Sequence, residues 1–461
     1  MRRGLYVALA VAFPGAIPLT GGWPIPGGPL AGGAPAQEKP APALHIAIEE
    51  MTSTGPEWTK SSSQRGNSKV VRVDVWLTKS GYTIERNGSR TFRDFEKGRV
   101  LRWMRDDKSA ASEPLEAEVD RRRLEFQAGL AMEHAAMDSA AVPPAAILRV
   151  ETNFGMEKVE GGCRSLLAAK ESKEGLAFFV ADEEVASATW GERPLEPAWV
   201  PSWRRFLVRE TRMHPIVRTR VSEADRFPSE LMFRWSKGGV RTKMTLRLVA
   251  VEDGTASLPV PPAAAHGDDP LGRALAAAES VKTPSKAQAV AKAAQLKKEG
   301  GVLDAFLALM AHSTATGDDL TKEMEKFLES AVARNDVQAF LDRIRGADAK
   351  ESAAAVRDAL AGVQAECPRY GWLIPIWRAK ACAALEEFDA ARDLLLGLLA
   401  EHPEVGGAWH DLGWVYERTV DFPNAWRCWD AAFRVAPYHP LGKAVAERRE
   451  SLRKDCAAFF R

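Results

Sequence analysis

Three short stretches hold residue types that could do chemistry. In "MEHAAMD", Glu133 and His134 precede Asp138. On a helix the spacing of His134 and Asp138 stacks imidazole and carboxylate on one face, as two metal ligands would be. Two ligands are too few for a transition-metal site, so a solvated helix face is the better account. In "GGCRS", Cys163 could serve as a thiol nucleophile. Nothing nearby in sequence offers it a base, and Gly161-Gly162 reads as a turn before a strand. His410 and Asp411 are neighbours on a helix and point in different directions. The chain has no phosphate-cradling glycine loop, no HExxH and no nucleophile elbow. The sequence therefore assigns no catalytic residue, no metal site and no cofactor. A site assembled from distant residues stays open.

The elements that could position such a site fall into two or three folded units, because 461 residues exceed one ordinary core. Lys and Arg number 63 against 62 Asp and Glu, which removes any electrostatic argument for nucleic acid or an anionic membrane. A hydrophobic share of 46% with 27% charged residues is that of a soluble globular protein. Residues 1–36 differ. Met1-Arg2-Arg3 is followed by apolar "LYVALAVAF" and by a Gly/Pro-rich stretch that reaches Ala34-Pro35-Ala36. These are the elements of a secretory signal peptide cleaved before Gln37, and the apolar run is too short to span a bilayer. The expectation is an exported protein, periplasmic or extracellular, soluble after cleavage and without a transmembrane segment. Export places Cys163, Cys367, Cys382, Cys428 and Cys456 in oxidising surroundings. Their spacing fits neither a zinc site nor a CxxC redox motif, and an odd number leaves one thiol unpaired within a monomer. The four late cysteines fall in helical stretches as small buried residues, with one disulfide among them as the alternative.

From about Leu44 to Pro259 the pattern is strand-like. "KVVRVDVWL" sets Val71, Val73, Val75 and Leu77 against Arg72, Asp74, Trp76 and Thr78, which is period two with one face buried. Asn87-Gly88 is a strong hairpin signal, so Val70 to Trp103 reads as an antiparallel meander. Ala110 to Ala140 reads as inserted helix. Strands then resume through "AILRVETNF", "CRSLLAAKES", "LAFFVADE", "RRFLVRE", "PIVRTRVSE", "SELMFRW" and "RTKMTLRLVAVED". "SLPVPPAAAHGDDPLG" is a linker by composition, assigned to residues 263–271. Amphipathic helices follow to the end of the chain. The expected fold is α+β in two domains: a curved antiparallel sheet or half-barrel with inserted helices over 37–262, and an all-α solenoid over 272–461.

The helical half repeats. Trp409, Leu412, Gly413 and Tyr416, then Ala425, Trp429, Ala432 and Pro437, follow a W-x2-L-G-x2-Y…A…P pattern. One repeat earlier, Ala379, Cys382, Ala391, Leu395, Leu398 and Pro403 follow it incompletely. This resembles the tetratricopeptide repeat, over Trp372–Val405 and Gly406–His439. The first unit departs from the pattern where Pro375 and Arg378 stand for the expected Trp and Leu. Helices before Ile344 and the tail from Leu441 to Phe460 are expected to supply neighbours and caps. The resemblance implies a groove for a protein or peptide partner, lined by Ile376, Lys380, Ala383, His410, Trp414, Glu417 and Arg418. The Lys/Asn set that clamps a peptide carboxylate in some members is absent.

The sheet half is similar to lipoprotein-carrier-like (LolA-like) domains, on "SKVVRVDVW…YTIERNGSRTFRDFEKGRVLRW", "VEGGCRSLLAAKE…LAFFVADE" and the closing "PSELMFRWSKGGVRTKMTLRLVAVED". That resemblance implies an apolar cavity for a lipid or lipoprotein acyl chain, walled here by Val71, Val73, Val75 and Leu77 and partly roofed by the inserted helices. The two likenesses together imply a non-enzymatic exported envelope protein, an adaptor whose repeats dock a protein and whose sheet takes an apolar ligand. An enzyme with its site between the domains and a purely structural scaffold are the alternatives.

Overall fold

The computed structural model describes residues 42–55, 69–137, 144–156, 166–180, 182–237, 240–318, 321–363, 367 and 369–460. The signal-like leader, Asp138 and the Gly161–Cys163 stretch lie outside the described residues, as does the His134 side chain. The chain is α+β and divides into two compact units. A sheet unit runs to Ala265 and also takes in Glu450–Arg461, and a helical unit spans His266–Arg449.

The sheet has twelve strands among the described residues. They are β1 (Leu44–Gly55), β2 (Lys69–Leu77), β3 (Gly81–Arg86), β4 (Ser89–Asp94), β5 (Arg99–Met104), β6 (Ala110–Pro114), β7 (Leu167–Glu171), β8 (Gly175–Val180), β9 (Glu183–Pro194), β10 (Arg226–Lys237), β11 (Val240–Asp253) and β12 (Ala264–Ala265). Their order is β12-β6-β5-β4-β3-β2-β1-β11-β10-β9-β8-β7. Pairing is antiparallel except for β12, which runs parallel to β6 inside the stretch expected to be linker. The meander expected from Val70 to Trp103 is present as β2–β5. Asn87 and Gly88 turn it with φ of 53° and 79°, values that favour Asn and Gly.

Among the described residues four helices lie wholly in this unit: α1 (Leu115–Met137), α2 (Pro144–Phe154), α3 (Val200–Glu210) and α4 (Pro215–Ser222). Three of them correct the sequence expectation. "AILRVETNF", "RRFLVRE" and "PIVRTRVSE" are helical, not strands. Pro201 and Pro215 stand in the first turns of α3 and α4, where they cost no hydrogen bond. In α3 the apolar set is Trp203, Phe206 and Leu207, a helical spacing that the run of arginines disguises.

Opposed residues in the ladders show how one face of the sheet changes character. Ile46 faces Val75, Val75 faces Ile84, Ile84 faces Thr91 and Thr91 faces Arg102. The β1–β3 portion of that face is apolar and packs with Trp203, Phe206, Leu207, Val217 and Val221 of α3 and α4. The β4–β6 portion is charged.

The helical unit comprises α5 (Pro270–Ser280), α6 (Lys286–Lys298), α7 (Val302–Thr316), α8 (Lys322–Val332), α9 (Asn335–Ile344), α10 (Lys350–Leu360), α11 (Ile374–Ala384), α12 (Phe388–Glu401), α13 (Gly406–Arg418), α14 (Phe422–Val435) and the first turns of α15 (Gly442–Asp455). Side chains close several N-termini: Asp269 accepts from Gly272, and Ser285 forms a capping box with Gln288. The α11–α12 and α13–α14 pairs copy each other. Phe388 and Phe422 open the second helix of each pair, and Glu386 and Val420 turn into it with the same φ of 64°. Gly413 lets α13 and α14 touch, since a Cβ there would lie 2.3 Å from Trp429 Nε1. The tail expected to cap these helices is divided, because Glu450 onward belongs to the sheet unit.

Candidate functional site

The face expected to form a groove on α11 and α13 splits into a closed region and an open region. The closed region meets α7, a helix apolar on nearly every side with Ala305–His312 all buried. Its C-terminal carbonyls sit against the start of α13. A Cβ on Gly406 would lie 2.7 Å from Ala315 O, and one on Gly407 would lie 2.7 Å from Thr314 O. Ile376 is accordingly buried. Between α7, α11 and α13 remains a recess of about 10 Å³, bordered by Met310, Thr314, Lys380, Asp411 and His439. That is room for about one water, not for an organic ligand. Lys380 and Asp411 face each other across it at 3.8 Å. Burial raises the Asp411 carboxyl, with Lys380 opposing.

His410, expected in the groove, lies inside the unit at 4% exposure. Its ring packs on His439 (5.3 Å between centroids) and Phe433 (6.0 Å). Neither ring nitrogen has a hydrogen-bond partner among the described residues. Burial, then His439, lowers His410 to about 3, and burial lowers His439 to about 4. Both rings are therefore neutral in the folded protein at neutral pH.

The open region holds Ala383, Trp414, Glu417 and Arg418. Trp414 is 44% exposed, an unusual position for a ring that size. It meets Phe388 edge-on at 6.4 Å, and the Arg418 guanidinium lies 5.7 Å from the Trp414 ring and 5.9 Å from Phe388. Glu417 is paired with Arg448. The remaining aromatics of this region are interior: Trp409 donates to Pro403 O at 2.9 Å, and Trp426 is fully buried and edge-on to Trp429 at 5.1 Å. Sequence reasoning misses Phe388, because its second-helix position suggests packing alone.

In the sheet unit, Val73, Val75 and Leu77 are at most 3% exposed and belong to the core cluster, with Val71 packed against it. The side chains of α3 and α4 meet them there. The inserted α1, expected to roof this face, packs instead on α2 and β6. What α1 covers is the charged end. Glu118 of α1 accepts from Arg93 (3.2 and 2.9 Å), from Arg102 (2.7 Å) and from Arg209 of α3 (2.8 Å). Arg93 also pairs with Glu210 at 2.7 Å, which accepts from Tyr82 at 2.8 Å. Burial alone would raise the Glu118 carboxyl, but Arg93, Arg209 and Arg102 outweigh it and hold it well below the usual carboxylate range. Burial likewise keeps Tyr82 protonated. No signal short of the fold itself points to this network, since its members come from β3, β4, β5, α1 and α3.

Cys367, Cys382, Cys428 and Cys456 are buried and form no disulfide among the described residues, and burial raises the thiols of the last three. Among the described residues no cluster of three His, Cys, Asp or Glu side chains could hold a metal, and no helix is long and apolar enough to cross a membrane. No family model matches the chain, and no curated protein matches it.

Proposed function

We infer that this protein is a non-enzymatic adaptor of the cell envelope, exported as its leader implies, whose repeat-like helical unit docks a segment of another protein on the Trp414 face. The observation that carries this reading is the exposed Trp414, set between Phe388 and Arg418 while Trp409, Trp426 and Trp429 of the same helix pair are buried. Exposed tryptophan and arginine are the residue types that anchor protein interfaces. Arg418 contributes a cation, which supports a complementary segment with an aromatic or apolar residue beside carboxylates. An apolar ligand on the sheet would have to displace Trp203 and Phe206 from the face that Val73, Val75 and Leu77 share with them.

The test is a fluorescence-polarisation titration of the full chain with labelled twelve-residue peptides. One set places Trp or Phe among Asp and Glu, a second places the same rings among Lys, and a third replaces the rings by Ala. Saturable binding of the first set alone supports the reading. Equal binding of all three sets, or of none, overturns it.

A further inference from the structure

The C-terminal turn of α3 carries an arginine cradle with a piece of chain seated in it. Arg122 donates to the carbonyls of Val208 and Arg209, each at 2.9 Å, and Arg218 donates to Val208 O at 3.1 Å. Last-turn carbonyls lack intrahelical donors and lie at the negative end of the helix dipole, so two guanidinium groups are well placed there. Arg209, from the same turn, directs Nε and Nη2 to the main-chain oxygen of Phe459, at 3.2 and 2.5 Å. The Phe459 ring then lies 5.1 Å from the Arg122 guanidinium, 5.6 Å from that of Arg218 and 5.8 Å from that of Arg209. Phe460 is 5.9 Å from Arg209. Burial, then Arg212 and Arg209, lowers Arg122 to about 10. The electron-rich ring face and the carbonyl dipole are what such a cradle attracts.

The seated segment buries Leu452, Cys456 and Phe459, and beyond the cradle few side-chain bonds fasten it, Arg123 to Asp455 at 4.0 Å among them. It adds no strand to the sheet, and upstream it is tied by Arg453 to Glu116 at 2.9 Å and by Ser451, which accepts from Arg123 at 3.2 Å. Arg453, Lys454, Asp455 and Ala458 are exposed.

We propose that Arg122, Arg209 and Arg218 form a peptide-binding site whose resident occupant is Cys456–Phe460 of this chain, and that the same segment of a second copy can replace it. Recognition reads one phenyl ring and one main-chain carbonyl. The cradle belongs to the sheet unit and the Trp414 face to the helical unit.

The test adds a labelled synthetic peptide, Glu450 to Arg461, to three full-length proteins. Phe459→Ala vacates the cradle and binds the peptide. The unaltered chain, with the cradle filled, binds at least about tenfold more weakly. Phe459→Ala with Arg209→Gln loses the binding. Binding by the unaltered chain equal to that of Phe459→Ala, no binding by Phe459→Ala, or unchanged binding by the double variant overturns the proposal. Because Arg209 also pairs with Glu118, Phe459→Ala with Arg218→Gln is tested beside it and should likewise lose binding, and hydrogen exchange on the unaltered chain adds a readout that needs no variant. Amides of residues 456–460 exchange far faster than those of β1 and β2, and protection equal to the strands would show a permanent piece of the fold instead.

Discussion

Glu118 of the sheet unit and His410 of the helical unit are both buried ionisable groups, and the two units deal with them in opposite ways. Glu118 stays charged because Arg93, Arg102 and Arg209 converge on it. His410 stays neutral because burial makes its cation too costly, with a second buried imidazole beside it. The difference follows from what each element could bring. The β4–β6 end of the sheet sets Arg93, Arg102 and Glu113 on a face that Glu118 of α1 and Arg209 of α3 reach. The helical unit packs Ala, Gly, Leu and Trp around the interior end of α13, where no carboxylate reaches the ring. A charge network specifies its geometry through several simultaneous bonds, whereas a neutral ring tolerates an apolar neighbourhood.

The largest effect should come from breaking the network. Glu118→Ala leaves three arginines without their shared carboxylate and should cost about 3–5 kcal/mol, the loss seen when one partner of a buried pair is removed. Urea unfolding measures it. A loss below about 1 kcal/mol would mean that the arginines find water or other partners, and the contrast between the units would shrink.

Gly413→Leu comes next. Its side chain would enter the space of Trp429, and overpacking of this kind costs roughly 1–3 kcal/mol. The effect should be confined to exchange protection of α13 and α14, with the sheet strands unchanged.

Acid sharpens the comparison. His410 and His439 titrate near 6.5 when unfolded and near 3 and 4 when folded, so the unfolded chain takes up protons first. Their stabilisation is full above pH 6.5 and is lost as pH falls toward 3. Each histidine should cost the helical unit about 2 kcal/mol between pH 7 and pH 5. The Glu118 pKa is lowered on folding, so its contribution persists above the ordinary carboxyl range and is lost only as pH falls below it. Exchange protection, corrected for intrinsic rates, should therefore fall in α13 before it falls in β3–β5. His410→Leu should remove some of that early loss. Simultaneous loss in both units would contradict the assignment of the buried rings as neutral.

Much of the layout is legible in the sequence. Period-two valines place one face of β2, Asn87-Gly88 places a hairpin, and the glycine and aromatic spacing around Gly413 places a helix pair. Local patterns carry those features, and they fail where long-range packing decides. Arginines interrupting "RRFLVRE" hide a helix whose apolar residues stand at 203, 206 and 207. Gly406-Gly407 gives no hint that α7, about a hundred residues earlier, lies against α13. The Glu118 network draws on five elements, so no single stretch can announce it. Trp414 stands off the repeat pattern and is exposed, while His410, four positions earlier on the same helical face, is interior.

The smallest expected effect on stability carries the most weight for function. Trp414→Ala should change stability by less than about 1 kcal/mol, because nearly half of the ring is already in water. Arg418→Glu, beside it on the open region, should fold as the unaltered chain does. The most direct measurement is the peptide titration repeated with Arg418→Glu. The account predicts that preference inverts, from rings flanked by carboxylates to rings flanked by lysines, and that adding Trp414→Ala abolishes binding of both. A folded Arg418→Glu protein that keeps its preference for acidic peptides would contradict the Trp414 docking face.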